Sequence, residues 1–389
     1  MGMVGIQHAP YEYGTLQPTV FRMLACIERL RIEPGMRVLI KPNFLMPARP
    51  EWALTTHPLV VRAAVEYVLH KGAKPLVADS PGLGSFERLI RLGGYADALL
   101  GLDVELRPFK ETAQVDIGEP FGKIDIAREA LEADALINLP KLKTHAMMLL
   151  TLGVKNLFGC VVGLAKVRWH MRSGVNRHLF ARLLVQIQRA VHPAATLVDG
   201  ILGMEGQGPG RSGTPRRLGV LVAGASAPAV DVAVCRLLQL PADRLPTHRA
   251  AVELGLAPRE VVISGDFKPV GDFKLPVLGP LTFGPRRLEP LIRRHFVQRP
   301  VADPVKCRMC GECWRHCPVQ AIAPCAEAVG FDYNRCIRCY CCVEMCPHGA
   351  LAAVETGPAK AVRHLAAMRD RFAHRLGRGA GRRMRRSAH

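Results

Sequence analysis

The chain has 389 residues, 49% of them hydrophobic and 22% charged, a balance that excludes a disordered or low-complexity protein. At roughly 150 residues per domain, two or three packed domains are expected. The formal net charge is +20, yet residues 363–389 hold nine Arg against one Asp, so much of the excess sits in a single terminal block.

From the amino terminus, MGMVGIQHAPYEYG has neither a basic-then-apolar leader nor a twin-Arg start, and Ile6 departs from the myristoylation pattern. The apolar stretch LGVLVAGASAPAVDVAV is broken by Pro228 and Asp231, so no membrane span is expected and a cytoplasmic location is. The runs MRVLIKPNF, KPLVADSP, DALINLPKL, ATLVDGIL, RLGVLVAGA and EVVISGD are short, rich in Val, Ile and Leu, and bounded by turn formers, which predicts buried strands. Between them HPLVVRAAVEYVLHKG, DIAREALEA and HLFARLLVQIQRAVH carry helical spacing. Alternation of this kind implies an α/β fold, a mostly parallel sheet flanked by helices over residues 1–290.

In such sheets the ligand site lies beyond the carboxyl ends of the strands. Lys41 and Asn43, then Asp79 and Ser80, then Lys141, Lys143 and His145, and finally Asp199 all follow an apolar run, and so are expected to converge on one crevice. The 34 residues from Leu139 to Arg172 contain no Asp or Glu while placing Lys141, Lys143, Lys155 and Lys166 with His145, Asn156 and His170 among apolar neighbours. Each lysine taken singly reads as a snorkelling side chain. The group together reads as a pocket for phosphate or carboxylate, in which Lys143, His145, Lys155 and His170 would do the chemistry and Lys41, Asn43, Asp79, Lys141, Asn156, Lys166 and Asp199 would bind. A Walker A motif and a strand-linked G-x-G-x-x-G are both missing, so those fingerprints do not indicate a nucleotide. The stretch DGILGMEGQGPGRSGTP has six glycines in seventeen residues and adds Glu205 as a further candidate; it reads either as a flexible surface loop or as a functional lid.

Ten of the thirteen cysteines lie between Cys307 and Cys346, whereas Cys26, Cys160 and Cys235 are scattered and read as small core residues. CRMCGECWRHCPVQAI and CIRCYCCVEMCPHGAL repeat at an offset of 29, each as C-x2-C-x2-C-x3-C-P. This is the run of bacterial two-cluster ferredoxins, in which the fourth cysteine serves the other cluster. A zinc ribbon would leave the third cysteine and the Cys-Pro unused. The expectation is therefore a small α+β ferredoxin-like domain at 300–356 with two [4Fe-4S] clusters, one held by Cys307, Cys310, Cys313 and Cys346 and the other by Cys336, Cys339, Cys342 and Cys317. Cys325 and Cys341 are left over. Arg308, Arg315, His316, Arg335 and Arg338 crowd the ligands, either as a solvated face or as a dock for an acidic redox partner protein. Beyond them, Val362, Leu365, Met368, Phe372 and Leu376 carry helical spacing before an Arg-rich tail without aromatics, so residues 357–389 read as a helix and a solvated arm, and nucleic acid is not the expected partner.

With KPNF, TTHP, ADSPG, LPKLKTH, VKNLFG and the DGILGMEGQGP stretch followed by Asp231, residues 36–240 resemble the iron-sulfur centre proteins that carry the domain of unknown function 362. The resemblance implies a site at Lys41, Asn43, Asp79, Lys141, Lys143, His145, Lys155, Asn156 and Asp231, with the ferredoxin pair as an appendage. The expectation is an oxidoreductase that passes electrons to an anionic small molecule in the α/β domain, with His145 or His170 as proton donor. The alternative is a non-enzymatic electron carrier or a subunit of a redox complex.

Overall fold

The protein is described by a computed structural model covering residues 2–163, 165–173, 176–276 and 295–361. The expected carboxyl-terminal helix from Val362 onward and the Arg-rich tail lie outside the described residues.

All six expected strands form, in a ten-stranded sheet with other short segments. The strands in chain order are β1 (Gly2–His8), β2 (Arg37–Pro42), β3 (Lys74–Asp79), β4 (Glu105–Pro108), a side ribbon of β5 (Thr112–Asp116) and β6 (Lys123–Ala127), β7 (Ala135–Leu139), β8 (Lys141–His145), β9 (Leu149–Thr151), β10 (Ala195–Gly206), β11 (Gly213–Gly224) and β12 (Val261–Gly265). The sheet runs β12-β1-β11-β10-β7-β2-β3-β4, with β8 attached to β10 and β9 to β8. Pairing is parallel from β10 through β7, β2 and β3 to β4, and antiparallel where β11 meets β1 and β10.

Alternation along β2 divides the core. Val38 and Ile40 face helices Tyr13–Ala25 and Pro58–His70, which contribute Leu16, Val20, Val61 and Val65. Leu39 between them faces helix Arg177–Val191, with Phe180, Leu183 and Ile187. Each such buried side chain contributes about 1.5–3 kcal/mol. Asn176 starts that helix by accepting the Leu179 N–H at 2.9 Å, and Pro58 at the first position of the other needs no donor.

Two expectations change here. The apolar run 134–142 is not one strand: β7 stops at Leu139, Pro140 has no N–H to continue the ladder, and Lys141–His145 form β8 against β10. The glycine-rich stretch is neither loop nor lid. It is a paired ribbon in which Leu202–Gly206 of β10 meet Gly213–Arg217 of β11, so only residues 207–212 turn. The ladder satisfies backbone groups that a free loop would leave to water.

The cysteine-rich module has two small antiparallel ribbons, β13 (Arg299–Ala302) with β16 (Leu351–Val354) and β14 (Ile322–Pro324) with β15 (Val329–Phe331), and short helices Glu312–Arg315 and Cys341–Met345. Its apolar side chains Val343, Ile322 and Leu351 are continuous with the core beneath the sheet. The turn 207–212 grips it: Ser212 Oγ donates to Leu351 O at 2.7 Å, and a Cβ on Gly210 would lie 2.7 Å from Glu344 O. No helix of the described residues is long and apolar enough to cross a membrane.

Candidate functional site

The strand ends first build ion pairs. Lys41 Nζ lies 2.9 Å from Asp79 Oδ1, both buried, and Asp79 also accepts the N–H groups of Phe44 and Ser80 at 2.9 and 2.8 Å. Lys141 Nζ lies 2.8 Å from Asp199 Oδ2 with neither side chain exposed, and Tyr11 and the His57 N–H also donate to Asp199. Burial pushes the Lys141 ammonium down, against the opposing pull of Asp199. Burial likewise raises Asp199, but Lys141 outweighs it and holds the carboxyl below its ordinary value.

A chain of amides joins the strands. Lys143 Nζ donates to Asn43 Oδ1 at 2.6 Å, Asn43 Nδ2 to Asn156 Oδ1 at 2.8 Å, Asn156 Nδ2 to Asn138 Oδ1 at 2.8 Å, and Asn138 Nδ2 to Gly153 O at 2.9 Å. The last acceptor opens the short helix Gly153–Asn156, whose first amides, Gly153 and Val154, are accepted by Asp231 at 2.7 and 3.2 Å. Both devices fix the turn that carries Lys155, since a single helical turn cannot hold itself in water.

These elements open on a cavity of about 260 Å³. Its α/β walls include Asn43, Asp79, Ser80, Lys143, Thr151, Lys155, Asn156, Phe158, Lys166 and His170, and its other wall is the module, through His316, Cys341, Glu344 and Met345. Lys143 also donates to Leu54 O at 2.5 Å and Lys166 to Ser80 O, whereas Lys155 Nζ makes no hydrogen bond or ion pair among the described residues. Burial pushes Lys166 down to about 8 and lowers Lys155, which Glu344 opposes. Burial, then the neighbouring Lys155 charge, takes Lys143 well below the usual range.

His145 stands behind this wall. Its Nδ1 accepts from the Met147 and Met148 N–H groups at 3.0 and 3.1 Å, which leaves the proton on Nε2, 2.6 Å from Glu344 Oε1. Burial pushes the imidazole down to about 4, so the ring is neutral at pH 7. Burial would raise Glu344, but His145, Lys155 and His170 more than offset this and keep its carboxyl well below the usual range. His170, also pushed down to about 4 by burial, is clasped by Phe158 and Phe180, with ring centroids 5.5 and 4.3 Å away, and its Nδ1 has no partner among the described residues.

In the module, Cys307, Cys310, Cys313 and Cys346 line one small hollow together. Burial raises the Cys342 thiol, and the negative charges of Cys339, Cys336, Cys313 and Cys317 raise it further. Thiolates gathered this closely repel one another unless a cationic centre neutralises them, so the donor set fits iron-sulfur clusters. Cys341 turns away to line the cavity, and Cys325 is exposed beside the β14–β15 turn.

Of the residues singled out in the sequence, Lys143, Lys155, Lys166, His170, Asn43, Asp79 and Asn156 line the cavity. Lys41 and His145 stand one layer behind, each paired with a lining carboxylate. Lys141 and Asp199 pair off the cavity, Asp231 caps the Lys155 turn, and Glu205 binds Arg216 at 2.8 Å on the ribbon. The basic residues of the module are not one solvated face: Arg338 is buried over Tyr333, Arg315 donates to Cys310 O, and His316 lines the cavity. Cys160 and Cys235 are buried, but Cys26, expected in the core, is exposed at the end of its helix. Sequence reasoning missed Glu344, because nothing in its local pattern reports a partner 199 positions away; the spare Cys341 was the one signal in that segment.

A mostly parallel α/β sheet closed over by a ferredoxin-type module defines an iron-sulfur protein of electron transfer. The chain belongs to the family Domain of unknown function (DUF362), whose profile matches residues 38–236, and a 4Fe-4S dicluster domain profile matches residues 299–347. It is 37% identical over 303 residues to a thylakoid-associated protein of Synechocystis sp., covering 76% of this chain and 94% of that one. Shorter matches are to the pyruvate synthase subunit PorD of Thermotoga maritima, 39% over 56 residues, and to the delta subunit of the NADH-dependent phenylglyoxylate dehydrogenase of Aromatoleum evansii, 41% over 49 residues. These cover 14% and 13% of this chain, and 57% and 53% of the two subunits. The architecture expected from the motifs is thereby borne out, and the redox subunits among the relatives support iron-sulfur electron transfer.

Proposed function

We propose that the protein is an oxidoreductase in which two [4Fe-4S] clusters exchange electrons with an anionic small molecule held in the cavity between the module and the α/β domain. The carrying observation is that the wall facing Lys143, Lys155 and His170 is built by Cys341, Glu344 and Met345, residues interleaved with Cys339, Cys342 and Cys346. One cluster would be held by Cys307, Cys310, Cys313 and Cys346, the other by Cys336, Cys339, Cys342 and Cys317. Such clusters supply one-electron transfer. The chain's own residues do the rest: Lys143, Lys155 and Lys166 neutralise the anion, the Lys41–Asp79 pair and the amide chain hold that wall in place, and His170 offers a nitrogen for a proton. Lys306, Arg308 and His348 are exposed and line a groove shared with Arg88 and Arg211 of the α/β domain, a basic surface that suits docking of an acidic redox partner protein. In this reading residues 1–290 form the α/β unit, 300–356 the cluster module and 357–389 a helix and basic tail.

The test is anaerobic purification with iron analysis, expecting about eight irons per chain. The reduced protein is then mixed with a defined panel of carboxylated and phosphorylated metabolites while cluster absorbance is followed. Reoxidation by a panel member in the wild type but not in Lys155→Met supports the enzyme. Reoxidation only by protein carriers supports the electron-carrier alternative.

A further inference from the structure

We infer that the cavity takes a small carboxylic acid with an apolar body, bound as its anion, the carboxylate on Lys155 and the body along Phe44, Leu45 and Phe158. This rests on the reading of the cavity as a substrate site.

Charge sets the head group. Lys41 is ion-paired with Asp79, Lys143 spends donors on Asn43 and Leu54, and Lys166 spends one on Ser80, which leaves Lys155 as the cation without a bonded partner among the described residues. The Glu344 carboxylate lines the same cavity, so a monoanion meets less repulsion there than a phosphate dianion. Independently, His170 is 5% exposed with Nδ1 unpartnered and lines the same cavity. A buried polar nitrogen left without a partner is unfavourable, and a carboxyl or adjacent hydroxyl group would satisfy it.

Size and lining set the body. A cavity of about 260 Å³ holds roughly nine non-hydrogen atoms at about 30 Å³ each, and a nucleotide is more than twice too large. Phe44, Leu45, Pro81, Phe158, Pro209 and Met345 supply apolar surface, against which an aromatic or branched chain is favoured over a sugar. As support, burial lowers both Lys155 and Lys166, and an anion in the cavity would oppose that by favouring the charged ammonium.

The experiment is anaerobic calorimetry on the full holoprotein, with benzoate, inorganic phosphate and AMP as probes. Iron content and reducibility by dithionite are recorded on the same sample. Benzoate should bind, more tightly than phosphate or AMP, and Lys155→Met should weaken it about ten- to hundredfold, the share of one charge-assisted hydrogen bond. His170→Phe, which keeps an aromatic ring between its neighbours, should also weaken it, while the exposed Lys110→Met should not. Tighter binding of phosphate or AMP, no binding of benzoate, or unchanged binding in both Lys155→Met and His170→Phe overturns the inference. If clusters are present and reducible in that case, only the ligand class falls; if they are not, the redox reading fails with it.

Discussion

Replacing Asp79 by Asn tests whether the cavity floor is held by a buried charge pair. Lys41 Nζ is 2.9 Å from Asp79 Oδ1 with side-chain exposures of 0% and 4%, so the substitution would strand an ammonium with one carbonyl, Pro42 O at 3.0 Å. Breaking one half of such a pair costs about 3–5 kcal/mol, because the remaining charge stays out of water. In the α/β domain this corresponds to a fall in Tm of about 6–20 °C. Lys41→Met should cost a similar amount by exposing the carboxylate to the same penalty, although the Phe44 and Ser80 amides still serve Asp79. The double variant removes both charges and should cost far less than the two singles together. Anaerobic thermal unfolding of the four proteins, followed by far-UV circular dichroism with iron content checked, gives the coupling energy. Additive losses, or a loss below about 1 kcal/mol in Asp79→Asn, would refute the ion-pair account.

Cys342→Ala should lose one cluster, roughly four of eight irons, while Cys341→Ala keeps both; equal iron in the two variants overturns the ligand assignment. Anion binding should take up protons between about pH 8 and 10: burial lowers Lys166 to about 8, so the free site is partly deprotonated there, and a bound anion restores the ammonium. Affinity then falls as pH rises through that window, and calorimetry at pH 9 in buffers of different ionisation enthalpy should report net uptake, with release or no exchange counting against it. Gly210→Val should push the ribbon tip off helix Cys341–Met345, because its Cβ would meet Glu344 O at 2.7 Å and Val343 O at 3.0 Å. Limited proteolysis should then release the module faster while the α/β fragment stays intact; an unchanged digestion rate would show that the tip does not hold it.

Much of this molecule is local and was legible as such. The strands of the sheet announce themselves because a buried parallel strand is a short continuous apolar run, and the cysteine spacing is legible because three thiolates on one cluster come from one tight turn. The lysines of the Leu139–Arg172 window stood out because no acidic neighbour in sequence could neutralise them.

Their division of labour belongs to the tertiary structure. Lys141 and Lys155 look alike in the sequence, yet Asp199, 58 positions from Lys141, quenches one, while the other is left facing a hollow. The glycine-rich end of the β10–β11 ribbon read as a flexible loop or a lid because glycine's freedom is visible along the chain and its ladder partners are not. The cavity itself is half built by Cys341, Glu344 and Met345, nearly two hundred residues from Lys143 and His145. Sequence fixes which groups carry charge; only folding decides which charges are paid off by a neighbour, because that depends on distance and burial, to which local composition is blind.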